Sequence, residues 1–163
     1  MRSVRAAAMA MMICGGVAAP ALADVTAFIG ANTTPANRQV RGFSLGISLL
    51  VVGFEAEYSN TTDSPDDPIV NAPSLKIGSG NIFLQSPAAF FGVQPYVTTG
   101  GGFYSETLGT HNDAGFALNT GGGVKVDLVG PLRVRVDYRL FRLGSGALSS
   151  PAHRIYVGLN LKF

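Results

Sequence analysis

Four separate stretches of this chain place an apolar residue at every second position, and that period of two restricts what the chain can fold into. In "GFSLGISL" (42–49), Phe43, Leu45, Ile47 and Leu49 fall on one side, with Gly42, Ser44, Gly46 and Ser48 on the other. In "GFEAEY" (53–58), Phe54, Ala56 and Tyr58 oppose Glu55 and Glu57. "VKVDL" (124–128) sets Val124, Val126 and Leu128 against Lys125 and Asp127. "LRVRVDYRL" (132–140) sets Leu132, Val134, Val136, Tyr138 and Leu140 against Arg133, Arg135, Asp137 and Arg139. An α-helix repeats every 3.6 residues, so this pattern specifies strands with one apolar and one polar face. Weaker versions of it bring the number of expected strands to eight: 25–32, 40–49, 52–60, 75–85, 93–105, 115–128, 132–142 and 153–163. Several are longer than the usual strand of about 5–6 residues and match the roughly 9–11 that cross a bilayer at a tilt.

The connections alternate in length. "TTPANR", "NTTDSPDDPIVNAPS", "ETLGTHNDA" and "GSGALSSP" are longer and polar, while the links near Leu50–Val51 and at "VGP" (129–131) are tight and "SPAAFFG" is intermediate. That rhythm belongs to an up-and-down barrel with long loops at one end and short turns at the other. A soluble barrel would turn the apolar face inward, a membrane barrel outward. A soluble outer coat needs many lysines and glutamates, but lysine occurs only at 76, 125 and 162, and charged residues make up 13% of the chain, about half the roughly 25% usual for soluble domains. Glycine and serine on the polar face of 42–49 suit a crowded lumen better than a solvated exterior. The strand charges also match in sign: Glu55, Glu57, Asp127 and Asp137 against Lys125, Arg133, Arg135 and Arg139. An arginine facing mid-bilayer lipid costs about 2–4 kcal/mol, whereas a paired charge ladder in a closed interior is tolerable. The sequence therefore predicts an all-β fold, an eight-stranded antiparallel up-and-down transmembrane β-barrel, with these eight charges forming a lumen network.

Residues 1–23 are set apart from residues 24–163, the expected barrel domain. Arg2 and Arg5 precede the apolar "AAAMAMMICGGVAA", which is too short to span a bilayer, and Ala21 and Ala23 supply the small residues of a signal-peptidase site before Asp24. A retained anchor helix is the alternative and fails on length. Cleavage would remove Cys14, leaving no thiol for a disulfide, metal or nucleophile. It would also remove Arg2 and Arg5, leaving ten basic against ten acidic side chains. No basic surface for nucleic acid is then expected.

Other candidate chemistry is thin. The "GGG" runs at 100–102 and 121–123 lead into no helix, so they read as room for tight curvature and for lumen side chains such as the arginines or Tyr138, not as a phosphate cradle. His111 lies in "THNDA" and His153 in "PAHRIY", near Ser149 and Ser150; no His-x-Ser spacing accompanies either, and no catalytic residue is assigned. Asp63, Asp66 and Asp67 in "DSPDDP" lack the glycine turn of a calcium loop and read as a solvated acidic loop. No metal or cofactor is expected.

"PYVTTGGGFY" (95–104), "GGGVKVDLVGPLRVRVDYRLFRL" (121–143) and the terminal "YVGLNLKF", together with the signal segment and eight amphipathic strands, resemble the bacterial outer-membrane β-barrel domain family, in particular its small OmpA- and OmpX-like members. The resemblance covers nearly all of residues 24–163. It implies location in the bacterial outer membrane, contact with its lipid and lipopolysaccharide, and a monomer. It also implies that the last strand, through Ile155, Tyr156, Val157, Leu159, Leu161 and Phe163, is read by the barrel-assembly machinery; an ordinary strand ending on Phe is the alternative. The peptidoglycan-binding activity of OmpA-type proteins is not carried over by this resemblance. In the last strand, Ile155, Val157, Leu159, Leu161 and Phe163 are expected to face lipid, and Arg154, Tyr156, Asn160 and Lys162 the lumen or its rim. An eight-stranded barrel is just wide enough for side chains to fill, so a plugged lumen and a structural or surface-interaction role through loops 60–74, 105–114 and 143–152 are expected. A narrow porin-like pore is the alternative, and a lipid A-modifying enzyme comes third.

Overall fold

The computed structural model describes residues 21–63 and 72–163, and within them the chain is eight antiparallel strands without a helix. They are β1 (Ala21–Asn32), β2 (Arg38–Leu49), β3 (Val52–Thr61), β4 (Ser74–Gln85), β5 (Val93–Leu108), β6 (His111–Val129), β7 (Leu132–Leu143) and β8 (Ala152–Lys162). Each strand pairs with the next in sequence, and β8 pairs back onto β1 to close the barrel. The closing register runs from Asp24↔Lys162 to Asn32↔Arg154, and the Phe163 amide extends it by donating to the Ala23 carbonyl at 2.9 Å. Closure leaves no free sheet edge, which a strand structure in hydrocarbon requires.

Most of the expected signal segment lies outside the described residues. Ala21 and Ala23 stand at the head of β1, opposite Leu49 and Ile47. The acidic loop also falls mostly outside, Asp66 and Asp67 among it, while Asp63 is exposed beyond the end of β3.

The apolar faces point outward. Leu45 is 52% exposed, and Ile47, Phe54, Ile82, Val97, Leu118, Val157 and Leu159 are similarly bare, forming a continuous belt around the barrel. Their strand neighbours Ser44, Glu55, Asn81, Thr98, Asn119 and Asn160 are buried in the lumen. Such a surface is stable only against lipid, and the chain spans a membrane, with the tight β2–β3 and β6–β7 turns at one end and the β1–β2, β3–β4 and β7–β8 connections at the other.

The expected strands lie inside the observed ones, except that β8 ends at Lys162, one residue short. The main difference is at 105–114, expected as a loop. Strands β5 and β6 run on through it to pair Leu108 with His111, leaving only Gly109 and Thr110 as a turn, with Gly109 at a φ of +58° that suits glycine. The alternation persists, but its polarity inverts. At this end of the barrel Leu75, Ile77, Tyr104, Ala117, Phe141, Leu143 and Ala152 form a buried apolar cluster inside, while Lys76, Ser105, Thr107, Asn112 and Arg142 point outward. Above the lipid, water bathes the outer face, and the barrel reverts to the soluble arrangement.

Leu45→Arg, in the middle of the belt, is expected to lower unfolding free energy by about 2–4 kcal/mol, and Thr107→Arg, outward but above the belt, by about 0–1. Urea titration of the barrel folded into lipid vesicles measures both; equal losses would misplace the belt.

Candidate functional site: the lumen and its mouth

Alternation on β3 and β7 sends Glu55, Glu57, Arg135, Asp137 and Arg139 inward from opposite walls of the barrel, and they meet across it. Arg135 grips Glu55 with both terminal nitrogens, one contact being at 3.3 Å, and donates to Asp137 at 3.1 Å. Its Nε donates to the Tyr96 hydroxyl at 2.7 Å, and that hydroxyl donates in turn to Asp137. Arg139 bridges Glu55 at 2.6 Å, Glu57 at 3.0 Å and Asp137 at 3.1 Å. Arg154, from β8, completes the set by donating to Glu57 at 2.5 Å and to the Ser59 hydroxyl at 2.9 Å. Three guanidinium groups therefore face three carboxylates, and the cluster is neutral as a whole. Arg139 is 0% exposed, and Arg135 and Arg154 are each 1% exposed. Charges this deep are tolerated only because planar guanidinium forks satisfy carboxylate oxygens two at a time.

Aromatic rings pack around the charges. Phe28 and Tyr156 stack with centroids 4.1 Å apart, Arg135 lies 4.7 Å from the Tyr96 ring centre, and Arg154 lies 4.6 Å from that of Phe141. Two glycines make room on the wall of β6. A Cβ at Gly121 would come within 3.0 Å of the Arg139 side chain, and one at Gly123 within 2.7 Å of the Tyr96 hydroxyl. The Tyr138 and Val136 carbonyls of β7 come closer still, so the glycines first permit the tight β6–β7 backbone approach, and the space beyond it goes to Arg139 and Tyr96. It does not go to Tyr138, which is 48% exposed on the outer face, because it alternates in phase with Val134 and Val136.

The other expected charges sit lower. Lys125 bonds Asp24 at 2.8 Å, both buried, with its ammonium 4.8 Å from the Phe83 ring centre. Arg133 pairs with Asp127 at 2.7 Å, but Asp127 is 44% exposed. This pair belongs to the rim beside the Gly130–Pro131 turn, where the β6–β7 register shifts between Asp127 and Val129. The expected network of eight charges is thus a buried cluster of five, an inner pair that uses Asp24, and a rim pair. Arg154, expected to face the lumen but not among those eight charges, joins the cluster from β8. Its signal was its phase, shared with Tyr156 and Asn160.

Above the charge cluster lies the buried apolar cluster of β4–β8 residues, and the connections tie down over it. Arg38 donates to the Pro73 carbonyl and, at 3.1 Å, to that of Thr34. The Leu148 amide donates to buried Glu106 at 2.9 Å, and the Leu143 amide to the Ser150 hydroxyl at 3.0 Å. His153 faces outward and its Nδ1 lies 2.6 Å from the Tyr138 hydroxyl. Its hydrogen-bond partner is therefore a phenol, with Ser150 engaged elsewhere. His111 is exposed at the tip of the β5–β6 hairpin. Among the described residues no three His, Cys, Asp or Glu side chains converge as a metal site. Of the expected assembly-signal residues, Ile155, Val157, Leu159, Leu161 and Phe163 face outward, and Tyr156 faces the lumen.

No family model and no curated protein matches the chain. Solved structures do. The N-terminal β-barrel domain of Pseudomonas aeruginosa OprF superposes with a TM-score of 0.64 at 17% identity, covering 87% of this chain and 97% of that one. Neisserial surface protein A gives 0.60 at 14% identity, covering 87% and 94%. Ail, the attachment invasion locus protein of Yersinia pestis, gives 0.51 at 12% identity, covering 88% and 97%. The chain has the fold of the small eight-stranded outer-membrane barrels.

Removing one member of the buried cluster strands the rest. Arg139→Met is expected to cost about 3–5 kcal/mol of unfolding free energy, while Arg133→Met at the rim costs about 0–1. Urea unfolding in vesicles separates them; similar small losses would mean the cluster is hydrated.

Proposed function

We propose that this chain is a monomeric, non-enzymatic outer-membrane barrel whose lumen is sealed and whose work is done outside the cell surface, by the β5–β6 hairpin and the neighbouring connections. The observation that carries the reading is the filled lumen. Arg135, Arg139, Arg154, Tyr156 and Phe141 are each at most 1% exposed, and the apolar plug lies above them, so solute has no continuous path. What remains accessible is the external end, where the hairpin stands above the belt with Thr107 bonded to Asn112 across its strands at 2.9 Å. A rigid, polar, two-stranded projection suits contact with another surface. The phenol partner of His153 favours a non-enzymatic role, because a nucleophile–base pair needs a serine and an orienting acid. Insertion through the last strand, Ile155 to Phe163, by the barrel-assembly machinery is part of the same reading.

Refolded into planar bilayers, the chain is expected to give no stable unitary conductance. Reproducible steps that disappear when Ser44, beside Glu55 and Arg135, is replaced by Leu would establish the porin-like alternative. Replacing Thr107–Asn112 by a two-residue turn is expected to leave a folded barrel that still migrates heat-modifiably on gels. Failure to fold would make the hairpin a structural element instead of a presented one.

A further inference from the structure

The outer face of β2, β3 and β4 differs from the rest of the belt. Arg41 pairs with Asn60, and Asn60 with Lys76, so the three form one row across neighbouring strands. All three alternate in phase with outward-facing residues, and Arg41 and Lys76 are exposed. Two strand spacings put their backbones about 9–10 Å apart, and both cations stand at the external edge of the apolar belt. Among the described residues neither makes an ion pair.

Directly below this row come Phe43, Tyr58 and Gly78, then Leu45, Ala56 and Gly80, then Ile47, Phe54 and Ile82, each set in register. The surface sinks at Ala56 and Gly80. A groove of about 700 Å³ lies over them, walled by Leu45, Ile47, Phe54, Ile82 and Thr99. A Cβ added at Gly78 or Gly80 would meet nothing within 4 Å. Neither glycine is therefore demanded by the barrel's own packing, although glycine inside a strand weakens it and often marks close approach of a ligand.

We infer that this face binds one phosphorylated, acylated lipid of the outer leaflet, of the diphosphoryl lipid A kind, with a phosphate held between Arg41 and Lys76 and an acyl chain laid in the groove over Ala56 and Gly80. The guanidinium of Arg41 suits bidentate contact with phosphate oxygens, and a long lysine side chain reaches a headgroup while its stem stays on apolar surface. Four residues of strand separate Lys76 from Gly80, a rise of about 13 Å, so headgroup and chain fit one molecule standing along the barrel wall. A second copy of the chain is a poorer occupant. A two-fold contact through this face would bring Arg41 and Lys76 against their own like charges.

The test uses the full barrel purified in detergent and native mass spectrometry with diphosphoryl lipid A, the same lipid with its phosphates removed, and phosphatidylglycerol. The wild type is expected to retain one diphosphoryl lipid A and to favour it over both other lipids. The double variant Arg41→Gln, Lys76→Gln weakens retention about tenfold, the equivalent of 1.4 kcal/mol. Gly80→Leu, which fills the groove with the cations intact, weakens it as well. Arg142→Gln, an outward cation on β7, leaves it unchanged. Heat-modifiable migration of each variant shows that it is folded. Equal retention across the variants, or of the three lipids, overturns the inference, as does a dimer that Gly80→Leu dissociates. None of these outcomes depends on whether the lumen conducts or the hairpin binds a partner.

Discussion

Backbone amides and carbonyls cannot be left unpaired in hydrocarbon, and the whole structure answers to that condition. Eight strands satisfy it only if the last returns to the first, and the β1–β8 ladder from Asp24↔Lys162 to Asn32↔Arg154 does so. Once the cylinder closes, every second side chain is committed to an interior barely wide enough to hold it. The contents of that interior are then a packing problem. Glycine at 121 and 123 lets the β6 and β7 backbones approach closely and leaves room for Arg139 and Tyr96.

The charge cluster follows from the same confinement. A single arginine sealed in the lumen would be severely penalised, and so would a lone glutamate. Three guanidinium groups sharing three carboxylates cancel the net charge and use planar, multidentate geometry to satisfy the remaining oxygens. Their aromatic surroundings exclude water and supply ring faces for Arg135 and Arg154. Burial of the cluster leaves the external hairpin and the lipid-facing wall as the accessible surfaces.

Much of this was legible in the residues. The alternation of 42–49, 53–58 and 132–140 identified both the strands and the direction of their faces, because an outward arginine in lipid is costly and an inward one with partners is not. The β5–β6 hairpin was not legible. Its residues become polar on the outside exactly where the membrane ends, so a sequence reading that equates polarity with loops breaks off at Ser105. Arg133 is expected in the network and stands at the rim, while Arg154, expected to face the lumen, does so and joins the cluster. Both alternate inward, but height along the barrel axis decides which of them meets Glu57, and height depends on the register of β7 and β8. Tyr138 is set on the apolar face by its phase and also named as a candidate for the space left by the glycine runs; the structure follows the phase.

Period-two alternation, scarcity of lysine and matched strand charges are local or additive properties, so the sequence by itself determined that the chain makes strands, how many, and that their apolar faces meet lipid. Which carboxylate each arginine reaches, where polarity inverts along the axis, and how Arg41, Asn60 and Lys76 come to lie in one row above an open groove are set by inter-strand register. Register is a property of the closed cylinder, fixed by all eight ladders at once, and no single strand carries it.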